Sequence, residues 1–397
     1  MQPSPVSYDT QEHLPSLLAT DAQELSYQLQ QHQAKIFPPL SRKVLRAFSP
    51  AEAAGFIGIG EGYLRQVAAE GHGPDPLANG RRLYTADDMQ NIRKVLDERN
   101  GTAKYVPTRR THEKLQVVSV MNFKGGSGKT TTAAHLAQYL ALRGYRVLAI
   151  DLDPQASLSA LFGHQPELDV GEGETLYGAI RYEDPRPIAD IVRATYTPNL
   201  HLIPGNLELM EFEHETPKAM SSGRVESMFF ARIGEVLTEI ESFYDIVVVD
   251  CPPQLGFLTM SALCAATSVL ITVHPQMLDV MSMSQFLTMT SELMSVVERA
   301  GGRTSYDWMR YLVTRFEPND GPQSQMTGFM RAIFGNRMLQ NAMLKSTAVA
   351  DAGVTKQTLY EVDRSQFNRG TYDRAMESLG LVNGEVEALI RSTWGRK

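Results

Sequence analysis

Apolar and polar positions follow three different patterns along the chain, and these patterns predict three regions, residues 1–40, 41–110 and 111–397. The first region is polar and rich in Gln. Within it, the apolar residues of TDAQELSYQLQQHQAKI (20–36) recur at helical spacing, which predicts one helix with Thr20 or Asp21 as its N-cap. Its apolar stripe is incomplete, so we expect this helix either to pack on a partner, as a dimerisation arm, or to fray.

The second region has the pattern of short helices joined by turns. SPAEAAGFIG (49–58) has a Ser N-cap and Pro at the first helical position, and YLRQVAAEG (63–71) is a second helix that Gly71 closes. The turn IGEG (59–62) lies between them. A helix, a short Gly-containing turn and a second helix are typical of the helix-turn-helix.

The segment that follows predicts a wing. HGPDPLANGRRLY (72–84) places Asn79 and Gly80 before two arginines, which indicates a hairpin. TADDMQNIRKVLDER (85–99) opens with a Thr cap and acidic residues and predicts a third helix. This layout resembles the winged helix-turn-helix of the MerR type, although short helix pairs also serve as plain packing units.

In the third region, apolar β-rich runs alternate with helical stretches. Continuous apolar strands separated by helices are typical of a parallel sheet that is covered on both faces. The pattern therefore predicts a doubly wound, mainly parallel α/β domain with its ligand at the carboxyl ends of the strands. The six predicted strands lie in LQVVSVMNF, YRVLAIDLD, NLHLIPG, YDIVVVDCPP, TSVLITVHP and RYLVTRF.

Composition and charge narrow the class of protein. With 43% hydrophobic and 21% charged residues and no run near the roughly 18 apolar residues of a membrane span, we expect a cytoplasmic protein without a membrane partner. The net charge of −7 argues against a general nucleic-acid coat protein. Residues 41–110 hold twelve Lys or Arg and eight Asp or Glu, a net +4, so the rest carries −11. A basic module on an acidic chain indicates DNA binding, although a solvated charged face gives the same count.

The stretch VVSVMNFKGGSGKTTTAAHLAQYL (117–140) predicts a phosphate-binding loop between a strand and a helix. Its glycines, Gly125, Gly126 and Gly128, allow backbone N–H groups to surround phosphate oxygens. Lys129 supplies a charge to the phosphates and the Thr130 hydroxyl is placed to bind Mg²⁺. Phe123 stands where the first glycine of the ordinary motif would be, and Lys124 is an additional lysine.

Two strand ends carry candidate acidic groups. YDIVVVD ends in Asp250, which predicts a magnesium-supporting carboxylate. LAIDLDPQ carries Asp151 and Asp153, and an Asp at this end of a strand can position the attacking water. Either of these two could instead cap the following helix. His135 and His274 are expected to be structural, and the methionines of MLDVMSMSQFLTMTSELM (277–294) are expected to form a helix core rather than a cofactor site.

KGGSGKTTT, DLDPQASLS and YDIVVVDCPP resemble the deviant Walker A, Walker A′ and Walker B motifs of the ParA/MinD partition ATPases, in the same order. The resemblance covers about residues 115–365, and the N-terminal module makes the whole chain similar to the long ParA type. It implies ATP or ADP with Mg²⁺, a nucleotide-sandwich homodimer, and ATP hydrolysis with a ParB-type centromere-binding protein. It also implies non-specific DNA binding, association with the nucleoid and repression at an operator.

The same resemblance implies roles for individual residues. Lys124 would cross the dimer interface to the partner's ATP, whereas Lys129, Thr130 and Thr131 would hold phosphate and Mg²⁺ with Asp250, and Asp153 would position water. The remaining candidates are Arg315 and Asn319 for adenine, Tyr63, Arg65 and Gln66 for operator bases, Arg81 and Arg82 for operator phosphates, and Arg331, Arg337 and Lys345 for non-specific DNA.

Three other functions predict different features. A transcription regulator that nucleotide merely switches would lack a role in segregation and would show no stimulated hydrolysis. A MinD-like membrane ATPase would end in a basic amphipathic helix, whereas VNGEVEALIRSTWGRK (382–397) is short and mixed in charge. An iron-protein ATPase would need cluster cysteines, which Cys251 and Cys264 do not supply.

Overall fold

The structure is a computed structural model that describes residues 14–36, 43–222 and 228–396. The chain divides into two compact units, residues 1–43 and 44–397. The first unit contains helix α1, Leu14–Ile36, which begins six residues before the predicted Thr20. The predicted N-cap is wrong, because the Thr20 hydroxyl donates to the carbonyl of Ser16 within the helix (2.9 Å).

The second unit opens with three helices, α2 (Pro50–Ile57), α3 (Glu61–Val67) and α4 (Ala86–Asn100). The predicted caps are confirmed at both longer helices. Ser49 and Glu52 form a reciprocal capping box at the start of α2, and Thr85 and Asp88 form another at the start of α4. The chain leaves α3 through a wide turn, residues 68–72, in which Gly71 has a φ of 92°.

The predicted wing does not form a pair of strands. Residues 77–81 form a turn, with Gly80 N–H donating to Leu77 (2.8 Å) and Leu77 N–H to Arg81 (2.7 Å). The segment meets the rest of the module in one antiparallel bridge, Phe48 to Tyr84. Pro74 and Pro76 lack the N–H groups that a ladder needs, and the Arg82 guanidinium donates to the Pro74 carbonyl.

The rest of the unit is built on a seven-stranded sheet with the order β3-β4-β2-β5-β1-β6-β7. Every strand pair is parallel except the antiparallel edge pair of β3 and β4. The strands are β1 (Gln116–Met121), β2 (Val147–Asp151), β3 (Arg193–Ala194), β4 (Leu200–Ile203), β5 (Ile246–Asp250), β6 (Ser268–Val273) and β7 (Trp308–Val313). The doubly wound, mainly parallel sheet and all six predicted strands are confirmed, and the short edge strand β3 was not predicted.

Helices cover both faces of this sheet, and two apolar clusters alternate along its strands. One cluster contains Val117 of β1 and packs under α11 to α13. The other contains Val118 and packs under α5 and α16. The helices are α5 (Lys129–Arg143), α6 (Ser157–Leu161), α7 (Pro166–Asp169), α8 (Leu176–Ile180), α9 (Ile188–Ile191), α10 (Met210–Ser222), α11 (Arg232–Ile240), α12 (Phe257–Ala265), α13 (Met277–Arg299), α14 (Gly321–Phe334), α15 (Thr347–Val354) and α16 (Arg369–Thr393). Within the described residues, no helix is both long enough and apolar enough to cross a bilayer.

Several methionines of α13 are more exposed than the expected helix core would allow. Met283 is buried, but Met277, Met281 and Met289 are at least half exposed. They therefore do not form the helix core that their spacing suggests. The buried side of α13 consists of Met283, Phe286 and Val297.

The helical module contacts the sheet domain through α5. Arg143, the last residue of α5, donates to the carbonyls of Gly55 (2.9 Å) and Phe56 (2.8 Å) at the end of α2. Arg93 of α4 is 1% exposed and donates to Phe56 (3.0 Å) and to Leu142 of α5. Because α5 begins at the phosphate loop, one helix connects that loop to the module.

Candidate active site

The phosphate loop lies at the carboxyl end of β1, at the point where the strand order reverses between β5 and β6. Gly126 and Gly128 have φ values of 76° and 82°, which favour glycine. Gly128 is the N-cap of α5 and has no side chain with which to cap the helix. The first N–H groups of α5 therefore point toward the loop, where the positive end of the helix dipole favours an anion.

Polar residues outside the three sequence motifs hold this loop. The Thr314 hydroxyl donates to the Ser127 carbonyl (2.7 Å), and the Thr272 hydroxyl donates to Ser127 Oγ (3.1 Å). Asn122 Oδ1 accepts from the Lys124 N–H (3.1 Å). These bonds fix the loop before phosphate arrives, which lowers the ordering cost of binding. Polar residues at the ends of predicted parallel strands were the signal that could have identified them.

Lys129 is directed into its own loop. Its side chain is buried, and Nζ donates to the Lys124 carbonyl (3.3 Å). Burial lowers the pKa of Lys129, while the carboxylates of Asp250 and Asp153 act in the opposite direction. A buried ammonium without a firm ion pair is suited to bind a phosphate group.

Asp250 has the environment that a bound cation would satisfy. It is fully buried at the end of β5, and neither carboxylate oxygen accepts a hydrogen bond from the described residues. Burial raises the pKa of Asp250 well above its usual range and the neighbouring Asp151 raises it further, whereas the Lys129 ammonium lowers it. A divalent ion beside Thr130 would offset both unfavourable effects, so these residues fit Mg²⁺.

The two carboxylates at the end of β2 have separate environments. Asp151 is fully buried and accepts from the N–H (2.8 Å) and hydroxyl (2.7 Å) of Ser159, so it caps the following turn. Asp153 is half-buried and accepts from the Gln155 N–H (3.0 Å). The helix-capping alternative therefore applies to Asp151, whose partner Ser159 lies in α6.

Lys124 leaves the loop and contacts α13. Its Nζ forms an ion pair with Asp279 in the first turn of α13, whose other oxygen lies 3.3 Å from His274 Nδ1. Phe123, in the place of the ordinary first glycine, stacks on Phe286 of the same helix with ring centroids 5.1 Å apart. The Lys124 side chain remains 43% exposed. The two unusual positions of the motif thus attach the loop entrance to α13.

A small cavity of about 150 Å³ is lined by residues 316–319 after β7, residues 344–345 before α15, and Arg374 of α16. Asn319 lines it together with Phe316 and Lys345, and Lys345 pairs with Glu317 (2.9 Å). Arg315, which has a φ of 52°, donates to the Gly126 carbonyl (3.1 Å). Lys345, expected on a DNA surface, therefore lines the same cavity as the adenine candidate Asn319.

All of the DNA candidates except Arg82 are exposed. Tyr63, Arg65 and Gln66 are exposed on α3, where Arg65 pairs with Glu61 (3.0 Å) and Gln66 donates to Glu70 (3.0 Å). In other parts of the chain, Arg81 is exposed, Arg82 is half-buried, Arg331 donates to the Gln340 carbonyl (2.6 Å) and Arg337 lies over the Phe334 ring.

Comparisons with known proteins identify the family. Residues 115–300 match the AAA_31 family, described as an AAA domain. The chain is 60% identical over 392 residues to "Putative replication protein A" of Rhizobium rhizogenes, with 96% of each chain covered. It is 27% identical over 366 residues to Protein SopA of Escherichia coli (strain K12), covering 90% of this chain and 92% of that protein. This chain belongs to the ParA-like partition ATPases, of the RepA type.

For this ParA-like ATPase, the resemblance stated from the three motifs is confirmed. A solved structure of a Partition Protein has a TM-score of 0.61 at 16% identity, and covers 95% of this chain and 99% of that one, which supports the fold. ATPase activity and the binding of nucleotide with Mg²⁺ are properties of this family.

Proposed function

We propose that this partition ATPase binds ATP with Mg²⁺, forms a nucleotide-sandwich homodimer and hydrolyses ATP with a ParB-type centromere-binding protein to segregate plasmid copies. The observation that carries the proposal is that the two lysines of the loop lie in different environments. Lys129 is buried in its own loop, whereas Lys124 is held at the surface on α13 and is 43% exposed. The Lys124 end of this ion pair faces solvent, so Lys124 can exchange Asp279 for the phosphates of a second chain.

The residues of the site divide the chemistry among them. Thr130 and Asp250 would hold Mg²⁺, which would supply positive charge to the phosphates. Lys129 binds the phosphates in its own chain, with Thr131 beside it. Asp153, at the neighbouring strand end, orients the attacking water, and Lys124 adds positive charge from the second chain as hydrolysis proceeds.

We propose two DNA surfaces. The exposed residues of α3, Tyr63, Arg65 and Gln66, contact operator bases, and Arg81 and Arg82 contact operator phosphates, so that the chain represses its own operon. Arg331, Arg337 and Lys345 provide non-specific contacts in the ATP state and place the protein on the nucleoid. The exposed pair between Arg65 and Glu61 opens at little cost when DNA binds.

The test is the ATP hydrolysis rate of the full chain with Mg²⁺, measured alone, with random DNA, with the cognate centromere-binding protein and with both. We expect a slow basal rate that rises most when both are present. A matched measurement uses ADP and ATP in DNA-binding assays with operator and random DNA. A rate that neither addition changes would contradict a partition cycle.

A nucleotide-switched transcription regulator is the second candidate, because α5 connects the phosphate loop directly to the helical module through Arg143. Such a regulator would change its operator affinity between ADP and ATP. It would show no hydrolysis that DNA and the partner stimulate. The same set of rates therefore distinguishes the two functions.

A further inference from the structure

A carboxylate on α10 caps the helix that follows the Walker B strand. The two oxygens of Glu213 accept from the N–H groups of Phe257 (2.8 Å) and Leu258 (2.9 Å). These are the first residues of α12, whose own N-cap is Gly256 and has no side chain to use. Because first-turn N–H groups need partners and a helix N-terminus favours negative charge, Glu213 supplies the cap that α12 lacks.

Gly256 admits this carboxylate. A Cβ at position 256 would lie 2.3 Å from Glu213 Oε1 and 2.6 Å from Oε2. The φ of Gly256 is −104°, which any residue adopts, so its backbone conformation does not require glycine. The missing side chain is what allows the close approach. The position of the Glu213 carboxylate therefore depends on glycine at position 256.

This contact connects the two acidic strand ends of the site. Residues 251–256 join Asp250 to α12, and the Thr259 hydroxyl donates back to the Gln254 carbonyl (2.6 Å), which ties the first turn of α12 to that loop. Before α10, the Gly205 N–H donates to Ser159 Oγ (2.9 Å), and Ser159 in turn donates to Asp151. The segment from Gly205 to Glu213, in the first turn of α10, thus links the Walker A′ strand end to the start of α12.

We propose that Glu213 is a positioning residue for ATP hydrolysis, a role that rests on the ATPase function proposed above. By capping α12, it fixes the loop after Asp250 relative to Asp151 and Asp153. Loss of the cap lets this loop shift, whereas the phosphate loop stays in place because β1, α5 and Thr314 hold it. The effect falls on kcat and spares nucleotide binding.

The experiment measures kcat and KM for ATP hydrolysis by the full chain with Mg²⁺, together with the Kd of a fluorescent ADP analogue. Glu213→Ala should lower kcat between about tenfold and a hundredfold and leave KM and Kd within about twofold. Glu213→Gln should lose less, because its amide oxygen still accepts from one N–H. The matched control is Glu211→Gln on the same helix, an exposed residue that should behave as wild type.

A double-mutant cycle with Gly256→Ala sharpens the test. In the wild-type background the new Cβ displaces the carboxylate, so kcat should fall as in Glu213→Ala. In the Glu213→Ala background there is no carboxylate to displace, so Gly256→Ala should cost little more. If Glu213→Ala does not yield folded protein, Glu213→Gln carries the comparison.

Three results would overturn the inference: an unchanged kcat in Glu213→Ala, losses from the two substitutions that simply add, or KM and Kd values that rise as much as kcat falls. The last result would indicate a general structural role. A wild-type chain that does not hydrolyse ATP would contradict the proposed function instead, so the two failures are distinguishable.

Discussion

Lys124 and Lys129 separate two tasks at the scale of single residues. Lys129 is buried. Burial lowers its pKa, and the carboxylates of Asp250 and Asp153 raise it. Lys124 lies on the surface against Asp279. A charge that is already desolvated binds phosphate in its own loop, and a charge that is half exposed can reach another molecule.

We predict different failures for the two lysines. Lys129→Ala should abolish nucleotide binding, because it removes the phosphate contact inside the loop. Lys124→Ala should keep binding but lose ATP-dependent dimerisation and stimulated hydrolysis. Binding is measured with a fluorescent nucleotide and dimerisation by sedimentation in saturating ATP.

The matched control for this pair is Lys114→Ala, a half-exposed lysine that pairs with Asp307 away from the loop (2.6 Å). It should leave binding, dimerisation and turnover unchanged. A Lys124→Ala protein that dimerises and turns over normally with DNA and the partner would exclude the contact between chains.

At the scale of elements, α3 is a short helix that presents polar side chains to solvent and buries Leu64 and Val67 beneath them. Capping boxes at α2 and α4 hold the neighbouring helices. This arrangement keeps the exposed face of α3 in a fixed orientation. In a helix-turn-helix such a face contacts base edges.

We predict that Arg65→Ala costs roughly 1–3 kcal/mol of binding free energy on the operator and little on random DNA, because Arg65 has the donor geometry for guanine. Arg81→Ala should weaken binding to both DNAs and lower the salt dependence by about one phosphate contact. Affinities are measured at several salt concentrations on both DNAs. Operator footprints that survive deletion of residues 41–100 would place recognition elsewhere in the chain.

At the scale of the whole molecule, residues 44–397 form one compact unit, so the helical module and the sheet domain share a packed interface. Arg143 is central to it, because it contacts Gly55 and Phe56 of the module and pairs with Glu387 of α16 (3.0 Å). The Glu387 side chain is 7% exposed, so this ion pair is largely desolvated.

We predict that Arg143→Ala lowers the free energy of unfolding by about 3 kcal/mol, because it leaves a buried carboxylate without its cation. It should also speed proteolytic cleavage within residues 101–115, which join the module to β1. Urea unfolding and limited proteolysis measure the two effects. The control is Arg99→Ala, whose pair with Glu70 lies on the module surface, and it should stay close to wild type. Equal unfolding curves for the two variants would contradict a structural role for Arg143 at this interface.

The sequence by itself determined the elements and the chemistry of the loop. The six strands of the sheet, the caps at Ser49 and Thr85, and the glycines of the phosphate loop all depend on residues within a few positions of each other. Side-chain period, capping and turn preference act over that distance, so they can be deduced from the chain alone. The order of the three motifs was enough to indicate the family.

Only the tertiary structure decided which of these residues meet. Lys124 pairs with Asp279, and Glu213 caps α12, through contacts between elements that lie far apart in the chain. The structure also buried Asp151 and left Asp153 half-buried, exposed Met277, Met281 and Met289 of α13, and replaced the wing with a turn that Arg82 closes against Pro74. Burial, desolvation and long-range hydrogen bonds arise only when elements pack together, and no local pattern contains them.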